Sequence, residues 1–305
     1  MWDTSLSIPN RVIKPHRADG TAFYCGRVGN YNNDKILIDM NPNVHNTHDR
    51  NLNFYHANPD ISEDTPIYKI MEFEYAYTMI KDKALNVGKL KSWEDPFENF
   101  LLKQNFWYKD TNGERKNCDI HEISELLYGQ SWSLTEESDA MWRIYSQNKT
   151  SVRLKTTIKK LFDSTYTSDS CVHTTFIGVV EYSSQESFQE YLDNLEKKGI
   201  LVWELGSVHN MVNPLLNKRD TFTHEKEVRL LYIAPLETKA HCLATDFISY
   251  PIDVNNVIEE ICFDPRIGND LYEAHSIALQ QIGFKNKIIK SSLYDLGEKR
   301  NIELK

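Results

Sequence analysis

The chain has 305 residues, and its 44 acidic residues outnumber its 35 Lys and Arg residues, giving a net charge of −9 that argues against broad, sequence-independent binding to a polyanion. Its five cysteines are scattered without a C-x-x-C pair, so neither a zinc cage nor a disulfide framework is indicated, and free thiols are typical of the cytosol. The first residues lack an apolar signal core and no apolar run approaches membrane length, so we expect a soluble, cytoplasmic protein that does not contact a membrane.

Residues 1–63 differ in composition from the rest of the chain. Nine asparagines fall between Asn30 and Asn58, among Gly, Pro and Asp residues that favour turns. Within this segment, His45, His48 and His56 match no metal-ligand spacing, so we expect no metal site. We therefore predict an N-terminal extension over residues 1–63, with short strands that pack on the body, and a main domain over residues 64–305.

The main domain mixes strands and helices without a regular alternation of the two. Period-two patterns predict strands and patterns of three to four residues predict helices. In the first half of the domain we predict a strand at 67–71, a helix at 73–84 ended by Gly88, a helix begun by Asp95 and Pro96, and a strand at 130–133. A helix carrying Met141, Trp142 and Tyr145 follows, then strands at 151–158 and 174–182 and a helix capped by Ser183 and Glu186. The last predicted elements are strands at 222–233 and 258–265, a helix at 271–282 and a strand at 285–293. This order is typical of an α+β fold with mixed or antiparallel sheets and flanking helices.

The predicted strand at 222–233, FTHEKEVRLLYI, opens with an unusual density of charge. Because side chains alternate along a strand, Glu225, Glu227 and Arg229 are expected on one face and apolar residues on the other. Two carboxylates and a guanidinium on one face form either a surface salt-bridge ladder or the edge of a cleft. The ladder is the commoner arrangement, since exposed ion pairs are frequent and weakly stabilising.

Several short motifs follow one another along the chain. They are Ile67-Tyr68-Lys69-Ile70, Trp93-Glu94-Asp95-Pro96-Phe97-Glu98, Trp132-Ser133, Met141-Trp142-Arg143-Ile144-Tyr145, Lys218 ahead of Glu225-x-Glu227-x-Arg229, and Ser291-Ser292-Leu293. Together they resemble the bacterial family DUF2971 over residues 65–293, with departures at Ile70 and at Trp93-Glu94. Members of that family are often carried on mobile elements near phage-defence genes. The resemblance implies a toxin or antiviral defence effector, with an antitoxin or a regulatory protein as partner.

The order of these motifs also resembles that of the ADP-ribosyltransferase fold, in which three strands around a cleft converge on NAD. The resemblance implies that NAD is the substrate. It also implies that Glu227 and Glu225 are catalytic and that an unidentified protein or nucleic acid is the acceptor. The implied NAD-binding residues are Tyr68, Lys69, Ser131, Trp132, Ser133 and Arg229. Lys69 departs from the Arg or His that the fold usually carries at this position.

The roles implied for these residues follow from the chemistry of the nicotinamide–ribose bond. Its cleavage develops oxocarbenium character, which an ionised Glu227 would stabilise. Glu225 would orient or deprotonate the acceptor, Lys69 would hold the pyrophosphate, and Trp132 would stack on the nicotinamide. Arg229 would keep Glu227 ionised.

Two other functions fit the same residues. One is a non-catalytic recognition module whose charged face binds a partner protein, and the other is a metal-dependent, nuclease-like hydrolase using Glu225, Glu227 and a further acid. For individual residues, structural roles compete with catalytic ones. Met141, Trp142 and Tyr145 have the spacing of core residues, and Lys69 is equally suited to cover a strand edge.

Overall fold

A computed structural model describes residues 54–55, 61–93, 95, 97–109, 112–118, 124–166, 175–198, 208–234, 245–297 and 303. The predicted extension therefore lies almost entirely outside the described residues. The division at residue 63 stays a prediction.

The strands are numbered here in chain order. They are β1 Phe54–Tyr55, β2 Pro66–Met71, β3 Ala84–Lys89, β4 Phe106–Lys109, β5 Arg115–Cys118, β6 Leu127–Ser133, β7 Val152–Thr157, β8 Thr175–Val179, β9 Glu181–Ser183, β10 Asn217–Arg219, β11 Glu227–Ile233, β12 Phe247–Pro251, β13 Glu260–Phe263 and β14 Lys287–Lys290. The α-helices are α1 Phe73–Asp82, α2 Asp139–Tyr145, α3 Ile158–Asp163, α4 Gln185–Lys198, α5 Val208–Leu215, α6 Val254–Val257 and α7 Asn269–Gln281. Within the described ranges, short 3-10 helices cover Leu90–Ser92, Phe100–Lys103 and Asp220–Glu225.

Most strands join one mixed sheet in the order β1-β8-β11-β6-β2-β7-β13-β14, with β3 pairing both β6 and β12. The pairs are antiparallel except β1 with β8 and β13 with β14. The β13–α7–β14 unit explains the second exception, because parallel neighbours need a crossover connection. The α+β class with a mixed sheet and flanking helices is therefore confirmed.

The sheet is divided at strand β6. One edge of β6 pairs with β11 along its whole length. Along its other edge, β6 pairs with β3 at Tyr128 and Gly129, and with β2 at Ser133. Within the described chain, residues 130–132 pair with no strand on that second edge. The backbone pairing of β6 on this edge is therefore interrupted between its contacts with β3 and β2.

The two faces of β6 and β11 carry different side chains. Val228, Leu230 and Trp132 enter the large core formed with α1, α3 and α7. On the opposite face, Leu231 and Ile233 pack in a smaller apolar cluster with residues of α5. The strand ends on that second face carry polar residues in place of apolar ones. This polar end of the sheet is where the candidate site lies.

Several predicted boundaries are wrong for identifiable reasons. Helix α1 ends at Lys83, which is left-handed (φ 51°), and Gly88 lies inside a strand. Asp95 begins no α-helix, because its carboxylate accepts the Phe97 N–H within a turn that precedes the 3-10 helix Phe100–Lys103. The residue that caps α4 is Ser184, whose hydroxyl accepts the N–H of Ser187 at 3.3 Å.

The predicted strand at 222–233 begins later than expected. It starts at Glu227, since residues 220–225 form a 3-10 helix and Lys226 is left-handed (φ 44°). Glu225 therefore does not lie on the strand. Among the described residues, no helix is long and apolar enough to cross a membrane.

Candidate functional site

The charged residues at the start of β11 form a buried ionic network. Lys218 Nζ lies 2.6 Å from Glu225 Oε2, 2.5 Å from Glu227 Oε1 and 3.5 Å from Glu98 Oε1. Glu225 is 6% exposed and Glu227 is 5% exposed. The expectation of a surface salt-bridge ladder is therefore wrong, because a ladder requires side chains that water solvates.

Different elements position the two carboxylates. Glu227 opens β11 opposite Ser133 of β6, and paired residues of neighbouring strands share a face. Glu225 ends the preceding 3-10 helix, where the Ser133 hydroxyl fixes it by donating to its backbone carbonyl at 2.6 Å. The left-handed turn at Lys226 lets both carboxylates reach the same ammonium group on β10.

Arg229 is fully buried and bonds the carboxylate of Glu227. Its Nε donates to Glu227 Oε2 at 2.7 Å, and its other two nitrogens donate to Glu98 Oε1 and to the Leu215 carbonyl, both at 2.6 Å. The guanidinium also lies 4.3 Å from the centre of the Trp93 ring. With every nitrogen bonded inside the chain, Arg229 acts on Glu227 in this structure, and a direct contact with a ligand would require rearrangement.

The network separates the pKa values of the two catalytic candidates. Burial opposes ionisation of Glu227, but Arg229 and Lys218 outweigh it and lower the pKa of Glu227 to about 2. Burial and the neighbouring Glu227 raise the pKa of Glu225, against the opposing effect of Lys218 and Tyr145. The two carboxylates therefore lose their protons in separate steps, Glu227 at the lower pH.

Two tyrosines complete the surroundings of the carboxylates. The Tyr145 hydroxyl donates to Glu225 Oε1 at 2.6 Å, and the Tyr182 hydroxyl accepts the backbone N–H of Glu227 at 2.8 Å. Burial raises the pKa of Tyr182 to about 12, so this phenol stays protonated near neutral pH. The two phenols therefore have different partners, a carboxylate for Tyr145 and a backbone N–H for Tyr182.

Lys69 and Ser131 meet where the pairing between β2 and β6 is interrupted. The Lys69 ammonium donates to the Ser131 carbonyl at 2.8 Å, and the Ser131 hydroxyl donates to Glu227 Oε2 at 3.3 Å. Lys69 pairs with Leu154, a core residue, so the register places its Cβ on the face opposite Glu227. Burial lowers the pKa of Lys69 to about 8 despite the opposing effect of Glu227. Only the end of its side chain is near the network.

Two of the predicted NAD-binding residues are aromatic and buried. Trp132 alternates with its serine neighbours and is 2% exposed in the large core, where its Nε1 donates to Gln130. Tyr68 is buried with its ring 5.1 Å from the guanidinium of Arg153, which belongs to a separate ionic cluster with Glu260. In this structure neither ring is open to a ligand.

Three residues of the network were not among the predicted site residues. Lys218 and Glu98 both belong to motifs that carried the family resemblance, which was the signal available for them. Tyr145 was read as a core residue from its spacing. Its neighbours Met141 and Trp142 are buried as expected, whereas Tyr145 is 40% exposed.

The comparison with protein-family models matches residues 141–230 to DUF2971, described as a protein of unknown function. The predicted resemblance is confirmed over this range. The matched segment contains Tyr145, Lys218, Glu225, Glu227 and Arg229, so it includes most of the network. The family description assigns no activity. No curated protein matches the chain.

The comparison with solved structures returns DarT from Thermus sp. 2.9 in several complexes. The complex with NAD+ is 12% identical, covers 76% of this chain and 97% of that chain, and has a TM-score of 0.35. The complex with carba-NAD+ is 11% identical with 75% and 97% coverage and a TM-score of 0.34. The complex with ADP-ribosylated ssDNA is 12% identical with 76% and 96% coverage and a TM-score of 0.35. Since likeness at this level carries no weight, the function is inferred below from the side chains of this chain.

Proposed function

We propose that this protein is an NAD-dependent ADP-ribosyltransferase in which Glu227 acts on the nicotinamide ribose and Glu225 acts on the acceptor. The observation that supports it is the pair of buried carboxylates, Glu225 and Glu227, joined through the single ammonium of Lys218. Oxocarbenium chemistry needs one fixed anion and one proton acceptor, and this pair of carboxylates on one ammonium can supply both.

Glu227 has the properties of a preorganised electrostatic group. Arg229, Lys218 and Ser131 hold its two oxygens, so little reorganisation is needed when positive charge develops nearby. NAD would supply the C1′–N bond that breaks, and the electron pair of that bond leaves with the nicotinamide. The remaining lone pairs of Glu227 are suited to accept a hydrogen bond from the ribose 2′-hydroxyl.

Glu225 is suited to take the proton of the acceptor. As the acceptor oxygen or nitrogen forms its bond to C1′, its O–H or N–H proton passes to Glu225. A pKa above the usual range makes this carboxylate a stronger base than an exposed glutamate. Lys218 stabilises the charged state of both glutamates between turnovers.

Substrates reach this site through a local rearrangement. Glu227 is 5% exposed, so side chains that enclose the network have to move before a ribose approaches it. The interrupted pairing between β2 and β6, where Lys69 lies, is the proposed entrance. There the Lys69 ammonium can exchange the Ser131 carbonyl for a phosphate oxygen.

The acceptor is proposed to be a macromolecule, and the protein to act as a toxin or phage-defence effector. This context is what the resemblance to DUF2971 implies, and the matched range includes the Glu225-x-Glu227-x-Arg229 motif. Single-stranded DNA, the molecule named in one of the DarT complexes, is one acceptor to test beside protein.

The test measures nicotinamide release and transfer of labelled ADP-ribose from NAD onto a cell lysate that is divided into protein and nucleic acid. We expect Glu227→Gln to lower nicotinamide release by about 10²–10³-fold, the typical effect of removing a preorganised electrostatic group. Glu225→Gln should lower transfer more than it lowers hydrolysis of NAD, because water can replace the acceptor without the same base.

A matched control separates catalysis from folding. Glu260 is also a buried glutamate, and it contacts Arg153 at 2.7 Å in the other ionic cluster. Glu260→Gln should lower the melting temperature by an amount similar to Glu227→Gln and leave activity intact. A wild-type protein that neither binds nor consumes NAD would contradict the proposal and favour the recognition module. Activity that depends on Mg²⁺ or Mn²⁺ and not on NAD would favour the hydrolase.

A further inference from the structure

Tyr145 differs from the other residues that contact the carboxylates because it is partly exposed and still bonds the buried carboxylate of Glu225. Its side chain lies at the end of α2 and is 40% exposed, yet its hydroxyl donates to the buried Glu225 Oε1 at 2.6 Å. Glu225 itself is 6% exposed. Tyr145 thus joins a partly exposed position at the end of α2 to a carboxylate that the protein encloses.

The two oxygens of Glu225 have different partners. Lys218 donates to Oε2 at 2.6 Å, while Oε1 faces the Tyr145 hydroxyl. Because Lys218 also bonds Glu227, it ties Oε2 to the ribose side of the proposed site. Oε1 is the oxygen that remains to meet an acceptor, and Tyr145 determines where it points.

We infer that Tyr145 is the positioning residue that holds Glu225 Oε1 toward the acceptor, and this inference rests on the proposed function. A carboxylate that accepts strong hydrogen bonds on both oxygens is fixed in rotation about its last side-chain torsion. Loss of the phenol hydroxyl would leave Oε1 without this donor and would free the carboxylate to rotate. Transfer to the acceptor depends on this alignment, whereas binding of NAD does not.

Several titratable groups face Glu225 and influence the pKa that a titration of this carboxyl group would measure. Lys218 faces it from β10, Glu227 from β11, Tyr145 from α2 and Tyr182 from β9. Among them, Lys218 and Tyr145 stabilise the charged form of Glu225 and Glu227 opposes it. Removing the hydroxyl of Tyr145 therefore raises the pH at which Glu225 loses its proton.

The experiment compares wild type with Tyr145→Phe, which keeps the ring and removes the hydroxyl. NMR of protein carrying ¹³C-labelled glutamate carboxyl groups follows the titration of Glu225, whose signal is assigned with Glu225→Gln. We expect its midpoint to rise by about one pH unit in Tyr145→Phe, the effect of one hydrogen bond to a charged group. The acid limb of the transfer rate should move up by the same amount, with the KM for NAD unchanged.

Tyr191→Phe is the matched control, because Tyr191 is 43% exposed and packs its ring on Phe100 of another region. It should leave the Glu225 midpoint and the pH profile of transfer unchanged. An unchanged Glu225 midpoint in folded Tyr145→Phe would overturn the inference. If wild type consumes no NAD, the proposed function fails, and the NMR titration still decides whether Tyr145 controls Glu225.

Discussion

Lys218 is the residue on which the ionic network depends, and its removal has a calculable effect on stability. Its side chain is 9% exposed and contacts Glu225 and Glu227 at 2.6 Å and 2.5 Å. Lys218→Met keeps the length and packing of the side chain but leaves two buried carboxylates facing each other. Breaking a buried ion pair by removing one partner costs about 3–5 kcal/mol. We expect a loss of this size in the free energy of unfolding near pH 8.

The loss should depend on pH in a defined direction. In wild type the pKa of Glu225 is already raised by burial and by Glu227, and without Lys218 it rises further. A carboxyl group whose pKa is higher in the folded state binds more protons folded than unfolded, so its stabilising effect grows as pH falls. Lys218→Met should therefore be destabilised less at pH 5 than at pH 8.

Urea unfolding at the two pH values measures both effects, with Lys226→Met as the control. Lys226 is an exposed lysine eight residues away, and its substitution should change stability by about 0.5 kcal/mol or less. A loss below about 1 kcal/mol for Lys218→Met would refute the argument, since that is the range of solvated pairs. A loss of equal size at both pH values would refute the assignment of the effect to Glu225.

Two further predictions concern residues expected to bind NAD. Trp132→Ala should lower the free energy of unfolding by about 3–5 kcal/mol because it empties part of the large core. The milder Trp132→Phe should leave the Kd for NAD, measured by calorimetry, unchanged. A tenfold weaker Kd would instead show that the ring contacts the ligand. Lys69 loses its charge as pH rises through about 8, so the KM for NAD should increase above that pH. Lys69→Arg should remove this increase because arginine stays charged, and a profile that keeps the increase would show that another group is responsible.

Local sequence patterns were sufficient for the elements that carry the site. The alternation in β11 placed Glu227 and Arg229 on one face and Val228 and Leu230 in the core, as the structure has them. Alternation works here because a strand has a period of two whatever its neighbours are. The same reasoning failed for Glu225, where a left-handed residue at Lys226 interrupts the strand geometry.

The composition of the network was decided by the tertiary structure. Glu98 lies 131 positions from Arg229, and Tyr145 lies 80 positions from Glu225. Their contacts depend on the order β8-β11-β6 in the sheet and on how α2 and the 3-10 helices pack against it. No local periodicity encodes which distant side chains a strand end will meet.

Burial likewise separated the two interpretations of FTHEKEVRLLYI that the sequence left open. The residues of this stretch place two carboxylates and a guanidinium at the start of a predicted strand. That pattern is the same for a solvated ladder and for a buried network. Only the folded chain brings Lys218 between the carboxylates and removes them from water. Their protonation depends on solvation and on charges from distant segments, so the difference between Glu225 and Glu227 arises in the tertiary structure.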